Sequence, residues 1–162
     1  PDGLVRCIGP DTVAPEGVET VRVDFRATAH GSNRFALTCF DPPYVLKGGQ
    51  GKFDAMNTRY GVGQPTTGKR KAALTALIED GLSEAARITR PGGWILAKSG
   101  RGVDGAKLFS TSHVMARHAD LLGLRLVQEL VFLTVPRSQK HRGPQKSPRS
   151  NYSILHVFEV AS

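Results

Sequence analysis

The stretch at residues 74–88 constrains the fold more than any other. Leu74, Leu77, Ile78, Gly81, Leu82, Ala85 and Ile88 recur at i, i+3, i+4, i+7 and i+8, which gathers them on one face of a helix. Glu79, Asp80, Glu84 and Arg87 fall opposite, so the spacing predicts one buried face and one charged, solvated face. Arg90-Pro91-Gly92-Gly93 ends the pattern and turns the chain into an apolar strand at 94–97. An apolar run, Phe35-Ala36-Leu37-Thr38-Cys39-Phe40, reads as a short buried strand ahead of it.

Further strands are expected at 4–8 and at 18–25, where apolar and polar residues alternate up to Asp24. A second helix at 110–122 carries Val114, Met115, His118, Ala119 and Leu122, with Gly123 as its stop. The last forty or so residues predict two long strands, 124–135 and 152–160. Strands alternating with helices specify an α/β sheet, with a single domain over 1–162. Trp94 and Met115 are expected in its core, as are Cys7 and Cys39, both in apolar runs and both reduced thiols by default.

Two segments stand outside this alternation. Residues 45–68 are glycine-rich without helical period and predict a long flexible loop, of a kind uncommon unless functional or disordered. Residues 136–150 hold Arg137, Lys140, Arg142, Lys146 and Arg149 with no acidic residue, and form a basic loop between the last two strands. A charge run is usually a solvated surface. Here it belongs to a chain of net charge +8, which favours a polyanionic partner over an acidic small molecule. The five histidines are scattered without paired ligand spacing, so no metal set is visible. No apolar run approaches the length of a membrane span, and the chain reads as cytoplasmic.

The chemistry concentrates in Asp41-Pro42-Pro43-Tyr44, where the 35–40 strand gives way to a loop. In open α/β sheets that is where ligands bind. Two prolines fix two φ angles and remove two donors, leaving a stiff turn with unpaired carbonyls. A carboxylate before that turn and an aromatic ring after it border a small planar space. An exocyclic amine on a flat heterocycle can donate one hydrogen to Asp41 and the other to the Pro42 carbonyl while Tyr44 stacks on the ring. The tetrapeptide by itself is equally compatible with an ordinary turn.

The motif resembles the catalytic signature of S-adenosylmethionine-dependent amino-methyltransferases that act on DNA, in particular those modifying the N6 of adenine. The resemblance extends over most of the chain: the Asp-Pro-Pro-Tyr strand, a long helix, Arg90-Pro91-Gly92-Gly93-Trp94-Ile95-Leu96-Ala97-Lys98, another helix and a closing hairpin. It implies a Rossmann-like class I methyltransferase sheet with a C-terminal antiparallel hairpin. It also implies a bacterial or phage origin, S-adenosylmethionine as cofactor, and duplex DNA with its target base rotated outward as partner. Asp41, Pro42, Pro43 and Tyr44 take the catalytic roles. Arg137, Lys140, Arg142, Lys146 and Arg149 would meet phosphates, and Tyr152 would lie near the site or serve simply as a strand residue.

One part of the family pattern is not matched. The glycine-rich loop that follows the family's first strand has no counterpart upstream of Asp41, so the resemblance implies a sheet lacking that strand, and a chain that forms the C-terminal portion of a longer domain. The 4–8 and 18–24 strands then correspond to the family's second and third. Asp24 would approach the cofactor's adenine, and Asp11 is the acid nearest the ribose position. An Asp opening the motif favours adenine-N6 chemistry, since a Ser marks cytosine-N4 enzymes. Enzymes acting on guanine in RNA or on protein glutamine carry related motifs, and a catalytically inactive nucleic-acid-binding module is the non-enzymatic alternative.

Overall fold

The computed structural model describes residues 5–6, 19–20, 24–42, 70–104, 107–133 and 152–162. In chain order these form β1 (Val5–Arg6), β2 (Glu19–Thr20), β3 (Phe35–Phe40), α1 (Arg70–Ile88), β4 (Thr89–Ser99), β5 (Arg101–Asp104), β6 (Lys107–Ser110), α2 (Thr111–Leu121), β7 (Arg125–Leu133) and β8 (Tyr152–Glu159). Cys7, like the expected loops at 45–68 and 136–150, lies outside the described residues.

A four-stranded sheet runs in the order β3-β4-β8-β7. β3 and β4 are parallel, while β8 is antiparallel to both β4 and β7, so the expected closing hairpin sits at one end of an α/β sheet. β1 and β2 form a separate parallel pair, and β5 with β6 a small hairpin. Among the described residues no strand joins the β1–β2 pair to β3.

Pairing register assigns the faces. Phe40 lies opposite Ala97, and Ile95 and Ala97 lie opposite Phe158 and His156, putting these side chains on one face. Against it pack Leu74, Leu77, Ile78, Leu82 and Ala85 of α1 and Val114, Met115 and Ala119 of α2. The helix at 74–88 thus forms where its periodicity places it, and Met115 is fully buried. Ser110 caps the second helix, accepting from the His113 amide at 3.4 Å.

Trp94 and Cys39 depart from expectation. Both are exposed, Trp94 at 38%, because they alternate with Ile95 and Phe40 and fall on the other face, which α1 and α2 do not cover. Leu37, Leu130 and Phe132 share that exposure. An apolar strand predicts burial, but its alternation does not say which side has a layer over it.

Arg90-Pro91-Gly92-Gly93 is also not the turn between helix and strand that the sequence suggests. It lies inside β4 as an irregularity: Thr89 pairs with Phe35 and Trp94 with Leu37, so four residues face Ala36 alone. The bulge requires Gly93, where a Cβ would sit 2.7 Å from the Arg90 carbonyl oxygen and 3.0 Å from that of Ala36.

Glu84 is the third departure. Instead of joining the solvated face of α1, it is buried because residues 24–34 fold across the end of the helix. Glu84 Oε1 accepts from the Thr28 amide at 2.7 Å and from Thr28 Oγ1 at 2.6 Å, while Arg87 Nε donates to Oε2 at 2.7 Å. Arg87 donates in turn to the His30 carbonyl at 2.7 Å. The Asn33 and Arg34 amides take the Arg87 and Ile88 carbonyls at 2.9 and 2.8 Å, which closes the carboxyl end of the helix. The chain thereby enters β3 from a fixed point.

Candidate functional site

Because β3 and β4 run parallel, their carboxyl ends emerge on one side of the sheet. β8 begins there and β7 ends there, with Leu133 opposite Tyr152. Asp41 and Pro42 follow directly on Phe40. Pro42 is buried, whereas the Asp41 side chain is 60% exposed. Packing thus anchors the chain at Pro42 while leaving the Asp41 carboxylate open to a ligand.

Phe40 fixes the approach to these residues. Its ring lies 5.8 Å from that of Phe25, and both rings press on Gly81 of α1, where a Cβ would come within 2.7 Å of each. The same contact sets Phe25, the neighbour of Asp24, beside the residue that leads into Asp41. Asp24 Oδ2 accepts from Arg26 Nη2 at 2.6 Å, and Oδ1 accepts from the Arg26 amide at 3.0 Å. The Arg26 guanidinium holds the Asp24 carboxyl below the usual carboxylate range, so it presents acceptors only.

Lys98 was not singled out by the sequence. It is the first residue after Ala97, as Asp41 is the first after its partner Phe40, and its Nζ lies 3.3 Å from Asp41 Oδ2. Adding the strand register to the motif would have found it. Arg101 was missed as well: its guanidinium lies over the Tyr152 ring, 5.2 Å from the centroid. Tyr152 is therefore both a strand residue and a resident of this end of the sheet. Pro43, Tyr44, Asp11, Arg137, Lys140, Arg142, Lys146 and Arg149 lie outside the described residues.

Just below this surface, Ser99 Oγ shares a 2.8 Å hydrogen bond with His156 Nε2. Glu129 Oε1 stands 2.9 Å from His156 Nδ1, but not in hydrogen-bonding alignment. Ser99 and His156 are both fully buried, so this chain of groups fastens β4, β8 and β7 together and offers no nucleophile to a substrate. Among the described residues no group of three or more His, Cys, Asp or Glu could hold a metal ion, and no helix is long and apolar enough to cross a membrane.

The arrangement is an exposed carboxylate next to a buried proline, beside an ammonium, at the carboxyl ends of parallel strands. It suits a ligand that donates hydrogen bonds from an uncharged amine.

Neither protein-family models nor curated proteins give a match to the sequence. Solved structures do. A protein of Thermus thermophilus assigned as a DNA modification methylase is 12% identical, with a TM-score of 0.57 over 86% of this chain and 52% of its own. Its complex with S-adenosyl-L-methionine gives 12% identity and a TM-score of 0.56, over 86% of this chain and 54% of that one. PvuII DNA methyltransferase, which is cytosine-N4-specific, gives 11% identity and a TM-score of 0.54, over 82% and 45%. The chain spans about half the length of these structures. What it shares with them is the Rossmann-like class I methyltransferase fold, of which the β3-β4-β8-β7 sheet and its two helices form one part.

Proposed function

We propose that this protein transfers a methyl group from S-adenosylmethionine to the N6 amine of adenine in DNA. The observation that carries this reading is the exposed Asp41 carboxylate next to the buried Pro42, at the end of a parallel strand, in a fold shared with DNA methylases.

Asp41 accepts one hydrogen of the amine and the Pro42 carbonyl the other, with Tyr44 against the ring face by the logic of the motif. Two acceptors out of the plane of the base draw the amine lone pair from conjugation and aim it. Asp41 then offsets the charge that the nitrogen gains as its new bond forms. No strong base is needed beforehand, because the proton becomes acidic only at that stage and passes to solvent, which reaches the open carboxylate. Lys98 holds Oδ2 and so keeps one carboxylate oxygen in a fixed direction. Asp24, whose carboxylate Arg26 fixes, is assigned as an acceptor for the cofactor's adenine, and Asp11 to the ribose. S-adenosylmethionine supplies the electrophilic methyl group. Arg137, Lys140, Arg142, Lys146 and Arg149 meet the phosphates.

Cytosine N4 is the second reading, favoured by the cytosine-N4-specific structural neighbour; the Asp that opens the motif speaks for adenine. The test is transfer of labelled methyl groups by the protein, as its gene encodes it, to duplex DNA, RNA and protein. Label in DNA is expected. Label confined to RNA or protein, or no transfer together with no calorimetric binding of S-adenosylmethionine, would overturn the proposal.

A further inference from the structure

The arginines whose side chains the structure describes fall into two groups. Arg26, Arg87, Arg117 and Arg125 each pair with a carboxylate, those of Asp24, Glu84, Glu79 and Glu159. Among the described residues no carboxylate pairs with Arg101, whose guanidinium instead lies over the Tyr152 ring. Arg34 and Arg90 are also without such a pair, but they belong to the opposite end of the sheet, where β3 and β4 begin. At the Asp41 end, Arg101 carries a charge that no described acid neutralises.

The placement has a chemical consequence. A guanidinium over an aromatic ring is attracted to the ring's face and still offers a ligand N–H donors in the fork geometry that matches two phosphate oxygens. The contact meets part of the ordering cost of a long side chain before a ligand arrives. The position is also apt. Three residue steps, about 10 Å of chain, lead from Lys98, which contacts Asp41, to Arg101. Leu133 and Tyr152, paired with each other, are the flanks from which the basic 136–150 segment leaves and to which it returns.

We propose that Arg101, lying over the Tyr152 ring, is a phosphate seat for the nucleic-acid backbone beside the target base. This deepens the reading of the protein as a DNA methyltransferase and rests on it for the identity of the polyanion. The contact is to backbone, so it positions the strand without reading sequence.

Binding of a fluorescent DNA duplex, followed by anisotropy across a salt series, tests this. For Arg101→Ala, affinity is expected to fall on the order of tenfold, equally for unrelated sequences, and the slope of log K against log salt to become shallower by about 0.9, the value of one phosphate contact. Tyr152→Phe keeps the ring and should bind as the parent does, whereas Tyr152→Ala should approach Arg101→Ala. Arg101→Lys keeps the charge without the planar fork and should fall between. A slope unchanged in Arg101→Ala would overturn the seat even in a protein that methylates DNA. A slope shifted as expected in a protein that transfers no methyl group would overturn the catalytic reading and leave the seat standing.

Discussion

Lys98 Nζ stands 3.3 Å from Asp41 Oδ2, joining the residues that follow the last paired positions of two parallel strands. Both side chains are partly exposed, so the contact adds little to stability. Its value lies in direction, since a carboxylate held at one oxygen turns the other to the amine. Lys98→Met should lower kcat for methyl transfer on the order of tenfold with little change in KM, and leave the melting temperature unaltered. Lys98→Arg should recover most of the loss. An equal loss in both variants would mark the contact as incidental.

Glu84 should set the acid stability of the fold. The Arg87 hydrogen bond, helped by Thr28, holds its carboxyl down to about 2 from 4.5. A depressed acid stabilises the folded state fully above its unfolded value, and that stabilisation is lost as pH falls from 4.5 toward 2. Glu84→Gln should cost about 2 kcal/mol at pH 7 by urea unfolding, and the gap to the parent should narrow below pH 4.5. A gap that stays constant with pH would refute this origin.

His156 should act at higher pH. Burial pushes its imidazole below 6.5, against the opposing charge of Glu129, so the folded protein keeps it neutral when the unfolded chain has begun to take a proton. The stability this provides is complete above pH 6.5 and declines as pH falls below it, by at most about 1.4 kcal/mol per unit. His156→Gln, which retains a polar partner for Ser99, should flatten the stability profile between pH 6.5 and the onset of the Glu84 effect. Urea midpoints across that interval decide it.

Gly81 is fixed by close approach. A Cβ there would lie 2.7 Å from both the Phe25 and Phe40 rings, so Gly81→Ala should destabilise by about 1–3 kcal/mol in spite of alanine's better helix propensity. Because Phe40 leads directly to Asp41, activity at a temperature well below the melting point should also fall. A stabilised variant would show that the rings yield freely.

What the sequence made legible was local or periodic. The apolar spacing of Leu74 through Ile88 located α1, and the run from Phe35 to Phe40 located the strand that ends at Asp41. Alternation could not tell which face of the sheet the helices cover, and so Trp94 and Cys39 were expected inside. Glu84 misled for a related reason: on its own helix it belongs to the polar face, and only Thr28, fifty-six positions away, turns that position into an interior one. Lys98 and Arg101 needed strand register, and the break between β4 and β5 at Gly100, before their neighbours could be named.

Nucleoside analysis of duplex DNA bears most directly on the proposed chemistry. The DNA is incubated with S-adenosylmethionine and either the parent protein or Asp41→Ala, whose exposed position makes a folded variant the expectation, checked by circular dichroism. N6-methyladenine is expected with the parent protein, and a loss on the order of a thousandfold with Asp41→Ala. N4-methylcytosine as the product, or N6-methyladenine formed equally well by Asp41→Ala, would contradict the assignment.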